Sequence, residues 1–333
     1  MSTDHPKQSL NLPLVISVII VCALLFGGGM FLISMYRNSS EQLKKIAIKQ
    51  ATTAGKMEKT YNEIQNLWQN YEEIVIKETE SEEELDDSLL LRNTKEIKTL
   101  AQARSALPEK GYIQQGEAVL GIEDSGVVRV YRRIEDQYTN GLNLIDEMEQ
   151  QNAEVQKIYR SPVGAFLPKA AQEATVTTEE YMSRSKPVFT YFKERSALEL
   201  ESLFLGVTLY ESIFAAVDSN GSDTTMRKLK QQLVEVERLE KAYTQISIAE
   251  IPDSLQKQHA DFAKDYVALK AGLQKIIEGI EKQDLDIFME GSENLETITS
   301  GEITQSQIVS FWKNDSYRKE LSNVKKSWDT ASN

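Results

Sequence analysis

Residues 43–75, LKKIAIKQATTAGKMEKTYNEIQNLWQNYEEIV, decide the fold. Leu43, Ala47, Gln50, Ala54, Met57, Tyr61, Ile64, Trp68, Tyr71 and Val75 follow one another in steps of three and four. That spacing keeps side chains on one face of a helix, whereas a half-buried strand alternates every second residue. The seam contains no proline, and its one glycine is Gly55. Aromatic and small residues fill many positions where a two-stranded zipper would place Leu or Ile, which predicts packing within a bundle.

Reading toward the N-terminus, no helix breaker separates this seam from LPLVISVIIVCALLFGGGMFLISM, the uncharged run Leu12–Met35. At about 1.5 Å per residue the run is roughly 36 Å long, enough to cross a ~30 Å hydrocarbon core. It is too long for the apolar part of a cleaved signal, and no small-x-small site follows it before the charged stretch that starts at Arg37. Residues 12–36 are therefore expected to form a transmembrane signal anchor after a polar tail, 1–11, with the lipid bilayer as a partner. Ala23, Gly27, Gly28 and Gly29 make a small-residue strip suited to helix–helix contact within the membrane.

Orientation is contested. Arg37, Lys44, Lys45 and Lys49 would hold the large domain in the cytoplasm. A short tail ahead of a long domain is instead the layout of a signal anchor with an extracytoplasmic domain, and that is the expectation. Cys22, the sole cysteine, lies inside the apolar run, so the rest of the chain has no thiol for a disulfide, a metal or a nucleophile. Val21 precedes it where a lipoprotein signal needs a small residue.

Reading toward the C-terminus, ETESEEELDD (78–87) predicts a helix break near 78–81 and a new helix from Glu82, with Ser81 and Glu84 as a capping box. The run lacks the glycine turn and spaced ligands of a calcium loop. That helix ends at Leu107-Pro108, because the residue before proline avoids helical geometry. Residues 108–126, with Gly111, Gly116, Gly121 and Gly126, read as irregular and fit no phosphate-binding fingerprint. A second seam follows: Val127, Tyr131, Ile134, Tyr138, Gly141, Ile145, Met148, Asn152, Val155 and Tyr159, ending at Ser161-Pro162. Asn152 either fixes the register of this seam from a buried position or sits partly exposed.

Residues 37–160 are thus expected to form an elongated, coiled-coil-like stalk of long helices folded back on one another. Two prolines and a glycine mark 161–176 as a linker. A helical bundle, 177–330, is expected beyond it, opened by Thr177 and Glu180 as a capping box and kinked or broken at Pro187. Its most apolar helix is 196–217, followed by the turn DSNGSD with Ser222 or Asp223 as the next cap. Met226, Leu229, Leu233, Val236 and Leu239 face inward on the next helix. Pro252 opens another, with Leu255, His259, Phe262, Tyr266, Leu269, Leu273, Ile276 and Ile280 as its seam. A short helix at 284–298 and a last one from about Thr304 complete the chain, with DTASN frayed. The fold class is all-α: a transmembrane helix, a long helical hairpin stalk and a C-terminal bundle.

The net charge of −13 repels phosphate backbones and argues against nucleic acid as a partner. His259 is the only histidine outside the N-terminal tail, and its place between Leu255 and Phe262 reads as a core histidine. No second histidine exists for a zinc helix, and no serine elbow is present. No catalytic, cofactor-binding or metal-binding residue is assigned. The expected function is that of a membrane-anchored, non-enzymatic helical scaffold or interaction protein of the cell envelope, working with a protein partner or by self-association. The alternative is a small-molecule-binding or sensory input module that acts through a separate membrane partner.

Overall fold

A computed structural model describes residues 12–80, 126–296, 308, 310–314 and 316–332. Among these residues every regular element is helical. We label the helices α1 (Leu12–Glu80), α2 (Gly126–Tyr159), α3 (Ala170–Asp218), α4 (Asp223–Thr244), α5 (Asp253–Lys282), α6 (Leu285–Glu296) and α7 (Ser316–Ser332). A 3-10 turn spans Gly164–Phe166, and residues 310–313 are also helical. The break and helix expected at 78–107 lie outside the described residues beyond Glu80, as do the irregular stretch up to 125 and the start of the last helix near Thr304.

The chain divides into two units. One takes the chain up to Gly55, Glu147–Glu180 and the chain from Ser322; the other takes Lys56–Asp146 and Tyr181–Leu321.

In the first unit the seam residues Leu43, Ala47, Gln50 and Ala54 of α1 are buried together with Met148, Asn152 and Val155 of α2. Asn152 is 2% exposed, so the buried alternative holds. Its carbonyl accepts from Gln50 Nε2 at 3.0 Å, and its Nδ2 donates to the Thr175 carbonyl of α3 at 3.2 Å. Gln50 Nε2 also donates to the Met148 carbonyl at 2.9 Å. These bonds tie three helices at one level and admit one register, since a shifted pairing would leave a buried amide unpaired.

Trp328 of α7 is fully buried, and its indole N–H donates to Thr178 Oγ1 at 2.7 Å. Helix α7 runs on to Ser332, where fraying was expected. Helix α3 starts at Ala170, not at a cap on Thr177: the Thr177 hydroxyl donates to the Glu173 carbonyl one turn back. Ala170, Ala171, Gln172 and Glu173 are good helix formers that follow Pro168 and Lys169, and that local preference sets the start.

The second unit begins with an aromatic core. Trp68 of α1 stands edge-on to Tyr71 and Tyr131, and its indole donates to the Tyr138 hydroxyl at 2.9 Å. Phe189, Phe192 and Trp312 pack against Tyr138 with ring centroids 5.6 to 6.3 Å apart. Gly141 occurs in the seam because a Cβ there would fall 2.2 Å from Phe189 Cε1.

Helix α3 passes through Pro187 without a break. A proline within a helix costs about 3 kcal/mol, and the buried neighbours Tyr181, Met182, Ser185, Val188 and Phe189 hold the helix on course past it. Further along, Leu209, Ile213 and Ala216 of α3 share one core with Met226, Leu229 and Val236 of α4, Leu273, Ile276 and Ile280 of α5, and Phe288 and Leu295 of α6. The turn into α4 places Asn220 and Gly221 at φ of 51° and 76°, a geometry that glycine adopts without strain.

Helices α5 and α6 form a hairpin in which backbones touch. A Cβ on Gly279 would meet Phe288 N at 2.5 Å, and one on Gly291 would meet Ile276 N at 2.7 Å. Gly-to-Ala changes inside helices ordinarily gain up to about 1 kcal/mol. Gly279→Ala is expected to reverse that sign and cost about 1–3 kcal/mol, because backbone atoms cannot step aside as a flexible side chain can. Faster amide exchange across residues 253–296 in the variant would show it; unchanged or slower exchange would contradict the close approach.

Candidate functional site

Two features stand apart from ordinary helix packing, one at the start of α1 and one inside the second unit. Met30, Phe31, Leu32 and Ile33 are 74%, 65%, 46% and 69% exposed. Four successive residues of a helix point in directions about 100° apart, so α1 is apolar and uncovered on every side at this level. Tyr36 and then Arg37, both exposed, end the stretch. Among the described residues no helix is long and apolar enough to cross a membrane. The described part of α1 becomes charged from Arg37 onward and does not by itself supply the transmembrane helix expected at 12–36. Of residues 12–29 only the helical backbone is described, so the strip Ala23, Gly27, Gly28 and Gly29 lies outside the described side chains. The helix does continue without interruption from Leu12 into the seam.

The second feature is a buried ion pair. Tyr191, Arg195, Glu199 and Ser202 lie along one face of α3 at spacings of four, four and three. Arg195 is 1% exposed and Glu199 7%; Arg195 Nε donates to Glu199 Oε1 at 2.5 Å, and its Nη1 donates to the Tyr191 hydroxyl at 3.2 Å. The guanidinium also lies 5.4 Å from the ring centre of Phe262 on α5. Burial is the strongest influence and works against the charge on Arg195, but Glu199, Tyr243 and Tyr191 together outweigh it and raise the guanidinium's pKa. Tyr266 of α5 bonds to the Ser202 hydroxyl.

His259 belongs to this cluster. Its ring stacks on Tyr243 of α4, with centroids 4.3 Å apart and planes 8° from parallel, and it meets Tyr191 edge-on. Burial, and then the charge of Arg195, push its pKa down to about 4, so the imidazole is neutral at neutral pH. Burial raises the phenols of Tyr191, Tyr243 and Tyr266. The cluster therefore pairs Arg195 with Glu199 among neutral rings, an arrangement that locks three helices together. Among the described residues no three His, Cys, Asp or Glu side chains converge as metal ligands would.

The His259 shift has a definite sign. An unfolded histidine titrates near 6.5, so the unfolded chain binds more protons between about pH 6.5 and 4, and the stability contributed by neutral His259 falls as pH drops through that window. Asp265, raised to about 6 by burial and then by Asp261, acts in the opposite sense: stability falls as pH rises toward and past 6. In an Asp265→Asn background, stability is expected to rise from about pH 4 to 6.5, and His259→Gln is expected to flatten that rise. Urea midpoints at stepped pH measure both slopes. An equal slope with and without His259 would show that its environment is not apolar.

No protein-family model, curated protein or solved structure matches this chain. His259 was legible as a core histidine from its seam position. Arg195 and Glu199 went unassigned, although their phase with Val188 and Tyr191 was the available signal.

Proposed function

We propose that this chain is a membrane-anchored, non-enzymatic helical interaction protein of the cell envelope, held in the bilayer by residues 12–36 and presenting helical surfaces to a protein partner on the extracytoplasmic side. The observation that carries the anchor is the exposure of Met30, Phe31, Leu32 and Ile33 on all sides of α1. Each large apolar side chain left in water forgoes about 1.5–3 kcal/mol, and a helix apolar all round belongs inside lipid or protein. Lipid fits, because the uncharged run extends back to Leu12 over a length matching a bilayer. The scaffold reading is supported by long helices packed along buried seams and tied by buried polar contacts, the Gln50–Asn152 bond in one unit and the Arg195–Glu199 ion pair in the other.

Membrane fractionation tests the anchor. The full chain is expected to stay with membranes through alkaline carbonate and to leave them only in detergent, whereas the chain lacking residues 12–36 is expected in the soluble fraction. Release of the full chain by carbonate would overturn the anchor. With Cys22 replaced by Ala, cysteines at Ser40 or Ser219 should react in intact cells with an impermeant thiol reagent. Labelling only after lysis would place the domain in the cytoplasm. Cross-linking in membranes then reads out the partner, and recovery of this chain alone would favour self-association.

A further inference from the structure

Outside the first part of α1, Phe166 is the most exposed large apolar side chain among the described residues, at 73%. The turn that carries it has a defined backbone. Phe166 N donates to the Val163 carbonyl at 3.0 Å, Leu167 N donates to the Gly164 carbonyl at 3.2 Å, and the Tyr159 hydroxyl bonds to the Pro168 carbonyl. Val163, Gly164 and Leu167 are buried, and a Cβ on Gly164 would lie 1.9 Å from the Tyr159 carbonyl oxygen. A backbone fixed in this way holds the Phe166 ring outward.

The register of the first unit says what lies beside it. Gln50 faces Asn152, and Thr53 Oγ1 donates to Glu147 at 3.1 Å, so α1 and α2 run antiparallel. Equal rise along both helices brings Tyr159, seven residues past Asn152, level with Leu43. Thr175 shares the level of Asn152, which sets Ala170 level with Lys45, so the turn 160–169 closes the unit at or just beyond the level of Leu43, an axial distance of about 10 Å or less from Tyr36, where the uncharged run ends. Arg160 and Lys169 bracket the turn and are exposed, as are Arg37, Lys44 and Lys45 on α1. An outward aromatic flanked by cations next to the end of an apolar span is the composition of an interfacial lipid contact.

We propose that the turn 160–169 is a second membrane contact, in which Phe166 enters the headgroup–acyl boundary of the phospholipid bilayer while Arg160 and Lys169 meet its phosphates. This rests on the anchor reading, since the bilayer is the one that holds residues 12–36. Two attachment points orient the first unit relative to the membrane plane, which a single helix cannot do.

The test uses the full chain with Cys22 replaced by Ala and one bimane-labelled cysteine at Ile33, Phe166 or Val234, reconstituted in vesicles of phosphatidylcholine and phosphatidylglycerol. A nitroxide lipid carrying its spin label high on the acyl chain is expected to quench the labels at Ile33→Cys and Phe166→Cys roughly twofold or more beyond that at Val234→Cys, an exposed site on α4. If the Ile33→Cys label is quenched and the Phe166→Cys label matches Val234→Cys, the turn contact is wrong and the anchor stands. If the Ile33→Cys label is not quenched either, the anchor reading fails and this proposal fails with it. A Phe166→Cys label shielded from aqueous iodide but untouched by the lipid quencher would mean that protein covers the turn, which also overturns the proposal.

Discussion

Glu199→Ala is expected to destabilise the second unit by about 3–5 kcal/mol, because it leaves the Arg195 guanidinium buried without its anion. The loss is larger than the net worth of the ion pair, since bringing both charges out of water already consumed most of their attraction. The control follows from the same physics. Arg195→Met combined with Glu199→Leu keeps the volume, removes both charges, and is expected to lie within about 1 kcal/mol of the natural chain or above it. Trp68 and Trp312, both in this unit, report the urea transition by fluorescence. A single-variant loss below about 1 kcal/mol would show that the guanidinium reaches solvent, contrary to its 1% exposure.

Trp328→Ala is expected to cost the first unit about 3–5 kcal/mol, the range for emptying a large aromatic site. Trp328 is 0% exposed and gives its N–H to Thr178, whose own hydroxyl donates to the Ala174 carbonyl. Trp328→Phe is the milder change: it keeps the six-membered ring but loses the hydrogen bond and the volume of the pyrrole ring, for an expected cost of about 1–3 kcal/mol. Amide exchange around Thr175 and Asn152 reads both variants within the first unit. Equal protection in Trp328→Ala and the natural chain would mean that α7 adds nothing to this core.

The two seams show what local spacing conveys. Leu43, Ala47, Gln50, Ala54, Met57, Tyr61, Ile64, Trp68 and Tyr71 are all buried in the structure, as are Tyr131, Ile134, Tyr138, Gly141, Ile145, Met148, Asn152 and Val155. A helix repeats over a few residues, so its buried face can be read from neighbours in the chain. The helix boundaries were less legible. Thr177 and Glu180 match a capping box, yet α3 already runs from Ala170, and Pro187 lies within the same helix. Capping and proline preferences amount to a few kcal/mol and yield when more burial is at stake.

The sites were less legible still, and for a different reason. Arg195 and Glu199 lie among the charged residues that flank and open the apolar helix 196–217, and apart from their phase with Val188 and Tyr191 nothing nearby in the chain marks them as buried until Phe262, Tyr243 and His259 close around Arg195 from α4 and α5. Gly272, Gly279 and Gly291 are unremarkable glycines until the α5–α6 hairpin brings backbone to within contact of each.

By itself, then, the run 43–75 determined that this stretch is helical and that its seam from Leu43 to Tyr71 is buried, and the lack of a break before it determined that α1 continues back toward Leu12. Those properties depend on residues a turn or two apart. What closes over Arg195, which register pairs Gln50 with Asn152, and why Phe166 faces outward depend on groups brought together from distant parts of the chain. Only the tertiary structure decided them, because the energy of a buried charge or an uncovered ring is set by whatever lies beside it in space.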